Sequence, residues 1–134
     1  MTCKDLMLGD LVQGFLPDTP SKVVGIPNEY RLAVITPGGA YMELSIDDFL
    51  PIPITPEILK KNGFNFLYSS VPGGTPQEQR MRKVDTYKWR GLAVNYYHET
   101  NDFQMVNFRG VRLDYVHQLQ HALKLCGIEK EIKL

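Results

Sequence analysis

The sequence predicts an α+β fold: an N-terminal SH3-like small β-barrel, a short connecting helix, and a C-terminal antiparallel β-sheet closed by one helix. Three observations predict it. The first third alternates short apolar runs with Pro-, Gly- and Asn-containing turns and keeps no helical period over ten residues. Thr55, Pro56 and Glu57 form a helix start. Apolar side chains then recur at helical spacing between 115 and 126. With 134 residues, 43% of them hydrophobic, the chain has material for one domain core. The expected division is a barrel-like part over 1–54 and a helix, hairpin and final helix over 55–134, the two able to form one compact unit.

In order, strands are expected at 11–15, 22–26, 30–36 and 40–44, separated by turns at 17–20, 27–28 and 37–39, where proline fixes φ and glycine or asparagine accepts a positive φ. A short helical turn follows at 45–48, with Ser45 placed to accept a backbone N–H, before Pro51 and Pro53 force extended chain. Thr55 caps the connecting helix, Pro56 occupies its first position, and Gly63 ends it. Strand 64–68 places Phe64, Phe66 and Tyr68 on one face by the two-residue period. Two glycines between two prolines make 71–76 a loop. A hairpin then pairs 88–98 with 103–108 through Thr100, Asn101 and Asp102. The last helix spans 114–126, capped by Asp114 and ended by Gly127, with Tyr115, Val116, Leu119, Ala122, Leu123 and Cys126 on its apolar stripe. The tail 128–134 alternates apolar and charged residues, as an edge strand or a frayed end would.

Fifteen Lys and Arg balance fifteen Asp and Glu, so no overall field favours nucleic acid. The distribution is uneven, with residues 1–54 at net −4 and the remainder at +4. Cys3 and Cys126 lack any CxxC or metal-type spacing and read as reduced thiols. The opening MTCKDLMLGD has charges where a signal peptide needs an apolar core, and no run approaches a membrane span, so a cytoplasmic location without membrane contact is expected.

The segments PIPITPEIL at 51–59 and YVHQLQ at 115–120 resemble those of short uncharacterised proteins from Bacteroides-type bacteria and their phages or mobile elements. The resemblance implies an accessory role in such a system and transfers no catalytic residue.

Two groups of side chains invite a functional reading. His117 and His121 stand four apart on the last helix, as the metal-binding histidines of HExxH do, and His98 is a candidate third ligand. Gln118 follows His117 where that motif has glutamate, so the general base of metal-assisted hydrolysis is missing. The plainer reading makes His117 a partly buried residue bonded to backbone and His121 an exposed one. Arg80, Arg82, Lys83, Lys88 and Arg90, with Trp89, form the second group, a mixture able to contact phosphates and stack bases. Its plainer reading is a solvated loop and strand whose tryptophan belongs to the core.

No nucleophile elbow, P-loop, dinucleotide fingerprint or EF-hand pattern is present, and no cofactor is expected. The sequence therefore points to a non-catalytic binding or assembly module with a protein partner. A weak single-stranded nucleic-acid binder and a metal-dependent enzyme stand as alternatives.

Overall fold

A computed structural model describes residues 1–14, 19–71, 73–106 and 111–134, with the side chains of 79–81 excepted. Phe15, the start of the expected 17–20 turn, Pro72, the end of the strand expected at 103–108 and the Arg80 side chain lie outside the described residues. The fold is α+β, with two antiparallel sheets and few helices. The chain divides into two compact units: Met1–Pro53 with Tyr115–Lys130, and Ile54–Asp114 with Glu131–Leu134.

The first unit is built on a five-stranded sheet in the order β4-β3-β2-β1-β5, from β1 (Leu11–Gln13), β2 (Pro20–Asn28), β3 (Arg31–Ile35), β4 (Tyr41–Ser45) and β5 (Leu50–Pro51). β2 runs through the turn expected at 27–28. The reversal comes at Glu29 and Tyr30, where the Asn28 side chain accepts a 2.9 Å bond from the Tyr30 N–H. Two register shifts bend β2 against β3, and Gly25 lies between them. A Cβ at 25 would meet that of Ala33 at 3.2 Å, so the close strand approach favours glycine. Ser45 accepts from the Asp47 N–H and starts the one-turn 3-10 helix Ile46–Asp48, as expected. Cys3, Leu6, Val12, Val23, Leu32, Val34 and Phe49 form the core. Burial of each large apolar side chain here contributes about 1.5–3 kcal/mol.

The helix expected to close the second sheet, α3 (Val116–Leu125), belongs to the first unit. The physical reason lies in its polar side chains. Gln120 Oε1 accepts from the Leu11 N–H at 3.0 Å while its Nε2 donates to the Gly9 carbonyl at 3.0 Å, and Lys124 Nζ donates to the Leu8 carbonyl at 3.1 Å. Asp114 does not cap this helix. Tyr115 is the N-cap residue, and its N–H donates to Gln118 Oε1 at 3.1 Å.

The second unit opens with α1 (Pro56–Lys61), whose Thr55 cap accepts from the Ile58 N–H at 3.2 Å. Gly63, at φ +90°, turns the chain beneath Trp89, whose ring a Cβ at 63 would approach to 3.2 Å. The four-stranded sheet has the order β6-β7-β8-β9, from β6 (Asn65–Ser70), β7 (Val84–Trp89), β8 (Leu92–Tyr97) and β9 (Asp102–Met105). The strand expected over 88–98 is in fact two strands meeting at a two-residue turn, Arg90 and Gly91, with Trp89 opposite Leu92. Arg90 takes φ +52° there, a conformation that the sequence pattern assigns to Asn, Asp or Gly. Another helix, α2 (Pro76–Met81), was not expected; Thr75 and Glu78 cap it reciprocally.

The tail neither pairs as a strand nor frays. Asn62, 2% exposed, accepts from the Lys133 N–H at 2.8 Å and donates to the Lys133 carbonyl at 2.7 Å, and it also donates to the Ile58 carbonyl at 2.8 Å. Ile132 is buried beside this clamp in sequence.

Candidate functional site

Strand geometry disperses the basic segment. Successive side chains on β7 point to opposite faces, so Lys88 and Trp89 cannot share a surface. Trp89 is half-buried against Phe64, with ring centroids 5.7 Å apart, and Arg90 lies over its indole at 4.8 Å. Lys83 faces Asp85 at 3.8 Å, and Arg82 is exposed at the end of α2. The described members thus form separate features, with the tryptophan engaged in the unit's own packing.

β6 offers a different surface. It is an edge of its sheet, paired on one side with β7 and, among the described residues, with no strand on the other. At the opposite edge, β9 is covered by the following chain: the Met105 N–H donates to the Val111 carbonyl and the Leu113 N–H to the Phe103 carbonyl. A register shift between Phe66 and Tyr68 breaks the expected one-face alternation. Phe64 is buried, while Phe66, Leu67 and Tyr68 are 51%, 52% and 54% exposed. β6 carries no charged residue, and such an open apolar edge is normally blunted by charge, proline or cover.

The three histidines divide between the two units. His98 lies in the second unit, where its Nε2 pairs with Asp85 Oδ2 at 2.7 Å. Ser69 Oγ donates to the other oxygen at 2.6 Å. Burial opposes the Asp85 charge, but the bonds from Ser69 and His98 hold its carboxyl below the usual range. Serine and histidine both bond to this carboxylate, which ties β6 to the β8 end. A nucleophilic triad needs histidine between the other two.

His117 and His121 lie in the first unit with ring centroids 5.8 Å apart. His117 is 4% exposed, and its Nδ1 is buried without a hydrogen-bond partner among the described residues. His121 is half-buried and pairs through Nε2 with Asp10 Oδ2 at 2.7 Å. Asp10 is wholly buried and also accepts from the Met7 N–H at 2.7 Å. These findings replace the expected backbone-bonded His117 and exposed His121. Both imidazoles line a cavity of about 540 Å³ together with Lys4, Asp5 and Tyr115. Among the described residues, no group of three or more His, Cys, Asp or Glu is placed to hold a metal ion.

Burial holds His117 below the usual imidazole range, with Asp10 opposing that effect. The unfolded chain therefore takes up its proton first as pH falls. The His117 contribution to stability is present above the unfolded value of about 6.5 and is lost as pH falls toward the folded value. Chemical denaturation between pH 8 and 5 should show stability falling toward acid over this window, with a shallower fall in His117→Leu.

Comparison with protein-family models, curated proteins and solved structures finds no match. Sequence reasoning missed two features. Asp10 lies in a segment read only against a signal peptide, and its pairing with His121 spans 111 residues. The β6 edge was read as one aromatic face, although the uncharged run NFLYSS was a visible signal.

Proposed function

We propose that this chain is a non-catalytic binding or assembly module that takes a protein partner along the open edge of β6. The observation carrying this reading is the uncharged strand whose outer edge has no neighbour among the described residues and which bears three consecutive exposed apolar side chains, Phe66, Leu67 and Tyr68. An extended partner segment would add a strand there, its main chain supplying hydrogen bonds and its alternate side chains meeting the aromatics.

An SH3-like architecture for the first unit is part of the same reading. Its support is the connectivity: β2, β3 and β4 form a meander, the 3-10 turn Ile46–Asp48 joins β4 to β5, and β5 returns antiparallel beside β1. On this proposal the module works in the cytoplasm and is an accessory of a Bacteroides-type phage or mobile element, the accessory role being supported by the resemblance of PIPITPEIL and YVHQLQ. No described helix is long and apolar enough to cross a membrane.

The test is a pull-down from the native host with tagged wild-type protein and with Leu67→Lys, which puts charge on an already exposed edge position. A stoichiometric protein captured by the wild type and lost with Leu67→Lys is the expected result. Capture of nucleic acid alone, released by salt and insensitive to Leu67→Lys, would overturn it in favour of a nucleic-acid binder.

A further inference from the structure

The cavity beside the first turns of α3 belongs to the first unit and has its own chemistry. We propose that it binds a small oxyanion, a phosphate or phosphate monoester, held by Lys4, His117 and His121 and bound more tightly as pH falls.

The positive and protonatable groups lining the cavity carry the argument. Each nearby carboxylate is engaged through Oδ2, and Asp10 Oδ1 is buried with no hydrogen-bond partner among the described residues. Asp5 accepts from the Thr2 N–H at 2.7 Å and the Thr2 hydroxyl at 2.9 Å, while Asp10 holds Met7 and His121. The groups left for a ligand are the Lys4 ammonium and the two imidazoles, whose free ring nitrogens both donate only in the imidazolium form. His117 Nδ1 is sealed in the interior, which leaves Nε2 for a ligand. Asp10 fixes the His121 ring through Nε2, which leaves Nδ1. The buried Asp10 carboxylate holds the His121 ring in place, so that its Nδ1 faces a ligand without reorientation and donates to it once the ring is protonated. At about 540 Å³ the cavity falls within the range of small-molecule sites.

Charge sets the pH response. The groups facing the imidazoles are Asp5 and Lys4 on the N-terminal turn, Asp10 before β1, the Met1 amino group, and the Tyr115 ring stacked at 5.8 Å from His117. With both imidazoles neutral, the two cations and two carboxylates offset one another. A proton taken up by His117 makes the cavity more positive, so anion and proton bind together. Burial works against the protonated form of His117, and a bound anion offsets that penalty.

The experiment follows the histidine ring resonances of the full chain by NMR. The titrants are sodium sulfate, whose charge stays fixed between pH 5.5 and 8, inorganic phosphate, and a nucleoside monophosphate. Saturable shifts at His117 and His121 with His98 unmoved are expected, with sulfate affinity about tenfold higher at pH 5.5 than at pH 8. Lys4→Met, at an exposed position, should weaken binding by about fivefold or more without affecting the fold. A monophosphate that binds more tightly than inorganic phosphate assigns the site to an ester, and equal affinity assigns it to the free anion. Linear, unsaturating shifts, equal movement of His98, or binding unchanged by Lys4→Met and by His117→Asn would each overturn the proposal.

Discussion

Replacement of Asp10 by alanine should destabilise the protein by about 3–5 kcal/mol in urea unfolding, since it removes two hydrogen bonds to a wholly buried carboxylate, each contributing about 1.5–3 kcal/mol. Asp10 has no exposed surface, and its Oδ2 is shared by the Met7 N–H and His121 Nε2. The segment it anchors also depends on Gln120 and Lys124, so loss of the carboxylate loosens one of several pins. His121→Ala should have a smaller effect, because its ring is partly solvated. A double-mutant cycle between the two positions should return a coupling of about 1–3 kcal/mol. A cycle that returns no coupling would show that the pair adds nothing beyond packing.

The second large effect is expected at Asn62. Asn62→Ala removes three hydrogen bonds from a side chain that is 2% exposed, two of them to the backbone of Lys133. At about 0.5–1.5 kcal/mol for each bond, the loss should be about 2–4 kcal/mol. Amide hydrogen exchange should localise part of it, with protection lost at Lys133, whose N–H donates to the Asn62 side chain. Asn62→Asp should retain acceptance from Lys133 N–H while losing both donated bonds, and should fall between wild type and alanine.

What could be read from the sequence was local. Thr55, Pro56 and Gly63 bracket α1 because capping and chain reversal depend on residues a few positions apart. The same grammar was present at Thr75, Pro76 and Glu78, where α2 begins, but the preceding Gly73 and Gly74 drew attention to a loop. Arg90 hid the β7–β8 turn because arginine rarely takes a positive φ, so no turn residue marked the reversal. The extra residue at Leu67 likewise changes which face each aromatic occupies, and nothing in NFLYSS announces it.

The remainder depended on long-range pairing. On the polar side of α3, the expected exposed His121 and its neighbours Gln120 and Lys124 find their partners between Leu8 and Leu11, more than a hundred positions earlier. A periodic pattern states that a helix has two sides without stating what meets the polar one. For the same reason, the i, i+4 histidine spacing was visible while the carboxylate that orients one of the rings was not.

The order of segments along the chain has a consequence for biosynthesis. The first unit takes Met1–Pro53 and then waits for Tyr115–Lys130, while Ile54–Asp114 intervenes. During vectorial synthesis the five strands emerge well before the helix whose side chains satisfy Gly9, Asp10 and Leu11. The nascent sheet must therefore persist with these groups open to water or to a chaperone, and its completion becomes a late, long-range closure step.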